Sequence, residues 1–166
     1  MKITIRKTIP EDAKVLHECI NDKDIIKELA GYHFPCPLNK IEEDIQKGLK
    51  EWDERKTYSF TIIADEEIAG QIFLENPSKD FGRYEIGFYI GKDYWGKGIA
   101  TEAIKQTVNF GFDKLKLYKI YADNDSDNPG SGRAMEKAGM KLEGILKNHT
   151  KKNGQFVDLL IWGISK

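Results

Sequence analysis

Gly96, Lys97 and Gly98 form a glycine-rich segment whose residue types suit the binding of a phosphate group. The run before it, Ile86–Ile90, is rich in β-branched and aromatic residues and predicts a strand. The residues after it, Ala100–Ala103, favour a helix. Free backbone N–H groups at the start of a helix attract anions, and glycines let a phosphate approach the backbone closely. The segment therefore predicts a ligand that carries phosphate.

Three ligand classes fit parts of this glycine-rich segment. The nucleotide-triphosphate loop G-x-x-x-x-G-K-[ST] matches Gly91, Gly96 and Lys97, but a glycine stands where a hydroxyl should bind Mg²⁺. The dinucleotide fingerprint G-x-G-x-x-G matches Gly96 and Gly98, but Thr101 replaces its third glycine. A G-x-A pattern that opens a helix, beginning at Gly98, asks for neither feature. It suits a pyrophosphate that backbone amides hold alone, as in coenzyme A.

The composition indicates a globular protein with balanced charge. The chain has 166 residues, with 26 Lys and Arg, 27 Asp and Glu, and 40% hydrophobic residues. This size predicts one domain over residues 1–166 with a sizeable core. Balanced charge argues against a DNA or membrane binder, which would need a strongly basic face. A polar start and two cysteines without CxxC or metal-ligand spacing predict a cytoplasmic protein with reduced thiols and no metal.

The order of predicted elements is typical of a mixed α/β (α+β) domain. An opening strand is followed by two helices, several strands, a helix, a strand, a short helix and a final hairpin. This order predicts a mixed, mostly antiparallel sheet of about seven strands with helices on both faces. The predicted helices begin at Pro10 or cover about 39–54, 100–115 and 129–137, and the later strands cover 58–64, 68–74, 85–90, 119–122, 142–147 and 156–164.

The run Tyr84–Ala103 resembles the acetyl-CoA motif of the GNAT N-acetyltransferase superfamily, especially its ribosomal-protein and spermidine N-acetyltransferase branch. The resemblance continues in consistent order through Asn128–Ser131, Glu136–Met140 and Asn153–Asp158. It implies a single GNAT-like domain with a splayed central pair of parallel strands. It also implies transfer of an acetyl group from acetyl-CoA, as co-substrate, to a primary amine by direct attack in a ternary complex. That amine would be a protein N-terminal α-amine or a small polyamine-like compound.

The resemblance further implies roles for individual residues. Glu85 matches the family's glutamate and would take the proton of the amine, directly or through a water. Ser131 would protonate the departing thiolate, or would instead cap the helix that begins there. Tyr32 and His33 lie in a loop that borders the acceptor site in this family, and they would contact the substrate or pack the loop. The residues that the resemblance assigns to acetyl-CoA are Phe88, Tyr89, Ile90, Gly96, Lys97, Gly98, Ile99, Ala100, Thr101 and Asn128.

One departure from the family pattern keeps a second function open. Met135 stands where related enzymes often carry a tyrosine as the acid for the thiolate, and methionine cannot donate a proton. A catalytically inactive acyl-CoA-binding sensor with the same fold is therefore the alternative. A homodimer is the default expectation for the oligomeric state.

Overall fold

Seven strands form one mixed sheet. The computed structural model describes residues 1–166 except for the side chain of Lys79. The strands are β1 (Ile3–Lys7), β2 (Tyr58–Ala64), β3 (Glu67–Ser78), β4 (Arg83–Ile90), β5 (Lys119–Asp125), β6 (Lys141–Lys152) and β7 (Gln155–Ser165). Their order in the sheet is β1-β2-β3-β4-β5-β7-β6. Neighbouring strands are antiparallel except for β4 and β5, which are parallel.

Helices cover both faces of this sheet. They are α1 (Ala13–Ile20), α2 (Lys23–Ile26), α3 (Leu38–Asp53), α4 (Ile99–Asp113) and α5 (Pro129–Lys137). Side chains alternate between the faces of a strand, so Tyr89 and Ile90 of β4 belong to different cores. Tyr89 packs in one cluster with Leu16 and Ile41 of α1 and α3, whereas Ile90 packs in the larger cluster with Ile104 of α4. The predicted architecture, a mixed sheet between two helical layers, is confirmed.

The parallel strands β4 and β5 pair at only three positions, from Arg83 opposite Lys119 to Glu85 opposite Tyr121. Beyond this fork β4 continues to Ile90, where it remains paired with β3 but has diverged from β5. Backbone N–H and C=O groups on the open side of β4 therefore need other partners. Splaying of the central parallel pair, which the family resemblance implied, is confirmed.

The polar end of β5 is longer than its sequence predicts. The predicted strand ends at Ala122, whereas β5 continues to Asp125. The added residues pair with β7, Asp123 opposite Ile161 and Asp125 opposite Leu159. Strand pairing from a distant part of the chain overrides the weak β-propensity of Asp and Asn. The extension matters because it carries two carboxylates into the sheet beyond the fork.

No helix that the structure describes is both long and apolar enough to cross a bilayer.

Candidate functional site

A cavity of about 600 Å³ lies where β4 and β5 diverge. Its walls come from β4, the glycine loop with the start of α4, the start of α5, and the segment 24–29 at α2. Among its lining residues are nearly all those that the sequence assigned to the cofactor, namely Phe88, Tyr89, Ile90, Gly96, Gly98, Ile99, Ala100, Thr101 and Asn128. Ser131 also lines the cavity, whereas Lys97 lies on the loop but is not among the lining residues.

The glycine loop presents backbone amides to this cavity. Gly96 and Gly98 have φ angles of +74° and +76°, a left-handed conformation that favours glycine. The first bond of α4 runs from the N–H of Glu102 to the carbonyl of Gly98, so the N–H groups of the three residues between them precede the helical ladder. A Cβ on Gly98 would meet no atom within 4 Å, which leaves open space above the loop. The loop can therefore bind an anion as the sequence predicts.

At the start of α5, Asn128 rather than Ser131 is the helix N-cap. Asn128 is the N-cap, and its Oδ1 accepts a hydrogen bond from the backbone N–H of Ser131 at 3.4 Å. Asn124 holds this cap by donating from Nδ2 to the carbonyl of Asn128 at 3.0 Å. Ser131 is thus not the cap, and it lies at the cavity. Met135, which stands where related enzymes often carry a tyrosine as the acid, is fully buried in the core.

Glu85 lies at the fork, on the face of the sheet that α1–α3 cover, and is not among the lining residues of the cavity. Its Oε2 accepts hydrogen bonds from Asn76 Nδ2 at 2.7 Å and from the hydroxyl of Tyr121 at 3.5 Å. Glu75 and Asp123 project from neighbouring positions on the same face. Burial raises the pKa of Glu75 and of Asp123, and the charge of Glu85 raises both further. This face of the fork is therefore strongly acidic.

Tyr32 and His33 lie in the loop between α2 and α3, as the sequence predicts. The hydroxyl of Tyr32 donates to Oδ2 of Asp44 at 2.7 Å, and its ring packs against the core beneath α1–α3. Burial and this hydrogen bond raise the pKa of Tyr32, and the charge of Glu75 contributes to the shift. His33 is exposed. The structure therefore brings Tyr32, but not His33, into a packed position near the acidic face.

The comparison with known proteins agrees with this geometry. Residues 2–141 match the protein-family profile described as "Acetyltransferase (GNAT) domain". The chain belongs to the GNAT acetyltransferase family. The family and the enzyme class predicted from the run Tyr84–Ala103 and its continuation are confirmed.

Relatives of this acetyltransferase match along most of its length. An uncharacterized N-acetyltransferase p20 of Bacillus licheniformis is 27% identical over 167 aligned positions, which cover 99% of this chain and 93% of the relative. A spermidine N(1)-acetyltransferase of Escherichia coli (strain K12) is 29% identical over 157 positions, covering 93% and 81%. The structure of RimL, a ribosomal L7/L12 alpha-N-protein acetyltransferase in complex with coenzyme A, superposes with a TM-score of 0.90. It shares 15% identity, covers 99% and 94%, and shows the common fold.

Three polar residues at the fork were missed from the sequence: Glu75, Tyr121 and Asp123. They lie on β3 and β5, and the predicted ends of both strands come too early in the chain. The alternation of Tyr121, Asp123 and Asp125 along β5 was a usable signal, because alternate residues share one face of a strand. The opposition of Glu75 and Glu85 depends on strand register and had no comparable signal.

Lys152 joins the final hairpin to the rim of the cavity. Its ammonium lies 2.6 Å from Glu28, 2.9 Å from Asp125 and 3.1 Å from Asp127, with 17% of the side chain exposed. One oxygen from each of these carboxylates lies within 4.8 Å of the others, a spacing that could hold a cation, and the ammonium supplies the positive charge. Burial alone would lower the pKa of Lys152, but its three hydrogen-bonded carboxylates raise it overall.

Lys152→Met should therefore weaken both the fold and donor binding of this acetyltransferase. We expect the free energy of unfolding at pH 7 to fall by about 2 kcal/mol, because three carboxylates lose their counter-ion. We also expect a several-fold higher Kd for CoA, since Glu28 and Asp127 line the cavity and would repel its phosphates. Urea denaturation and calorimetric titration measure these changes. Because the pKa of Lys152 is raised, its stabilising effect is complete at neutral pH and is lost only as strongly alkaline pH removes the proton.

The matched control is Lys151→Met on the same hairpin, where the side chain is exposed. This change should leave stability and CoA affinity close to wild type. If both variants behave alike, the Lys152 carboxylate contacts do not organise the cavity rim.

Proposed function

We propose that residues 1–166 act as one N-acetyltransferase domain that transfers the acetyl group of acetyl-CoA to a cationic primary amine. The observation that carries this proposal is that the fork lies between a site that suits anions and a face that suits cations. An anion-binding loop opens one side, and a carboxylate face centred on Glu85 lies on the other. A phosphate-bearing donor and an ammonium-bearing acceptor would therefore meet at the fork.

The donor side fits coenzyme A in three respects. The amides at the start of α4 suit a pyrophosphate. Arg133 and Lys137 line the cavity, and Lys105 and Lys137 line an adjoining open depression of about 510 Å³, so three cationic side chains lie close to the start of α4. The open side of β4 offers backbone groups to an amide-bearing pantetheine arm. Trp95 also donates from Nε1 to the carbonyl of Ile90 at 2.8 Å, which satisfies one group at the end of the strand.

The acceptor side supports deprotonation of an amine. An ammonium must lose a proton before its nitrogen can attack a thioester carbonyl. Glu85 is our choice for the group that takes this proton, directly or through a water. Asn76 and Tyr121 donate to its carboxylate and hold it in one orientation. Cationic acceptors would be drawn to this acidic face, which agrees with a polyamine or a protein N-terminus.

The remaining steps have candidates at the cavity. Acetyl-CoA supplies an activated acyl group, whose carbonyl oxygen becomes negatively charged on attack. A backbone N–H on the open side of β4 would donate to that oxygen. Ser131 lines the cavity at the start of α5 and would donate a proton to the departing thiolate. Two free thiols, Cys19 and Cys36, favour action in the reducing cytoplasm.

Release of free CoA from acetyl-CoA tests the proposal. We expect turnover with spermidine, or with a peptide that carries a free α-amine, and none with the same peptide acetylated at its N-terminus. Mass spectrometry should find one acetyl group on the acceptor. CoA binding without turnover on any amine would instead identify the inactive acyl-CoA sensor. Thermal stabilisation by Mg-ATP but not by CoA would support a nucleotide-triphosphate loop and contradict the proposal.

A further inference from the structure

Glu75 lies directly opposite Glu85 in the antiparallel pair of β3 and β4. The Cβ atoms of opposite residues in such a pair are about 5 Å apart, and both side chains project from the same face. The ladder becomes irregular after Glu75, before pairing resumes at Ser78 and Arg83. The two carboxylates therefore lie side by side where the regular β3–β4 ladder ends.

Gly87 leaves room for the carboxylate of Glu75 to lie over β4. A Cβ built on Gly87 would be only 3.3 Å from Oε1 of Glu75, closer than an ordinary van der Waals contact. Gly87 is two residues beyond Glu85, on the part of β4 that has diverged from β5. The Glu75 carboxylate therefore lies over the part of β4 that continues beyond the fork.

The surroundings of Glu75 favour its protonated form. Burial raises the pKa of Glu75, and the charges of Glu85 on β4 and Glu51 on α3 raise it further. Lys47 on α3 lowers this pKa, but its ammonium also lies 3.6 Å from Glu51. Tyr32, another titratable residue near Glu75, donates its hydroxyl to Asp44. Glu85, on the neighbouring strand, accepts hydrogen bonds from Asn76 and Tyr121.

We propose that Glu75 is the second proton-accepting carboxylate of this site: the proton that Glu85 takes from the acceptor ammonium moves on to Glu75. An N–H bond of the ammonium breaks, an O–H bond forms on the Glu75 carboxylate, and the nitrogen keeps the electron pair for attack. Glu85 returns to its ionised, hydrogen-bonded form. This inference rests on the proposed acetyl transfer and names a residue that the family resemblance did not assign.

The test is Glu75→Gln, which keeps the size of the side chain and removes its ability to accept the proton. We expect kcat to fall about tenfold, a modest share of what proton transfer contributes to catalysis. We also expect the acid limb of the plot of kcat/KM against pH to move to lower pH, since the raised pKa of Glu75 contributes to that limb. Glu75→Asp keeps a carboxylate and should return the limb toward its wild-type position. A role in packing alone would lower activity without moving the limb.

Stability gives a readout that does not need turnover. Because the pKa of Glu75 is raised in the folded state, ionising Glu75 costs free energy that the unfolded chain does not lose. The free energy of unfolding of the wild type therefore declines as pH rises through that pKa. Glu75→Gln should therefore raise the urea midpoint at pH 8 and change it little at pH 4. An equal change at both pH values would contradict a proton-accepting Glu75.

Asp123→Asn is the matched control, because Asp123 also lies beside Glu85 on this face but belongs to β5, where it pairs with β7. The acid limb should stay in place in this variant. If the wild type turns over and the acid limb of its pH profile moves in Asp123→Asn but not in Glu75→Gln, the role of Glu75 is wrong. The proposed function would still stand in that case. Absence of turnover in the wild type would instead contradict the proposed function.

Discussion

Glu85→Gln is expected to lower kcat by a factor of about 10²–10⁴, the range that general base catalysis contributes, with no change in the Kd for CoA. The amide oxygen of glutamine can still accept from Asn76 and Tyr121, so the fork should keep its structure. Because Glu85 is not among the residues that line the cavity, CoA binding should be unaffected. Steady-state kinetics with a reactive amine and calorimetric titration with CoA measure the two quantities.

Glu42→Gln, the same change on the exposed side of α3, is the control and should leave kcat unchanged. The two measurements also separate chemistry from structure. A parallel loss of turnover and CoA affinity in Glu85→Gln would show that Glu85 supports the fold of the fork rather than the proton transfer.

Ala100→Asp should weaken donor binding strongly while leaving the fold intact. Ala100 is the second residue of α4 and lines the cavity at the proposed pyrophosphate position. A carboxylate there would accept hydrogen bonds from the free backbone N–H groups and would repel phosphate. We therefore expect the Kd for CoA to rise about 100-fold. The same charge near a helix N-terminus favours the helix, and we expect the free energy of unfolding to rise by about 0.5 kcal/mol.

Ala100→Asn separates charge from size in this test. Asparagine has nearly the same shape as aspartate but no charge, so its Kd for CoA should lie much closer to wild type. Calorimetry and urea denaturation of both variants give the comparison. Equal Kd values for the two variants would mean that the side-chain volume, and not an anion site, explains the loss.

The conformation of the glycine loop and the start of α4 could be predicted from the sequence because their determinants are local. Gly96 and Gly98 specify left-handed backbone conformations, and the helix that follows supplies its amides whatever the rest of the chain does. The strand before the loop is signalled by its own β-branched and aromatic residues. Lys97 lies on this loop but is not among the lining residues of the cavity, and its role in binding acetyl-CoA stays a prediction.

The acidic face of the fork could be predicted only in part because it depends on register between distant strands. Glu85 was found through the family motif, but Glu75 meets it only through the pairing of β3 with β4. Asp123 reaches the face because β7 extends β5 beyond its predicted end. The N-cap of α5 also required the structure, since both Asn128 and Ser131 are good capping residues.

The three-position pairing of β4 with β5 has a consequence for how specificity can diverge in this enzyme. The glycine loop and α5 border one end of the opening, whereas the carboxylates at the end of β3 and along β5 belong to the opposite face of the sheet. A substitution on the α1–α3 side can therefore change the choice of amine without altering the phosphate-binding loop. In the proposed function, the fork thus joins a donor site on one side of the sheet to an acceptor surface on the other.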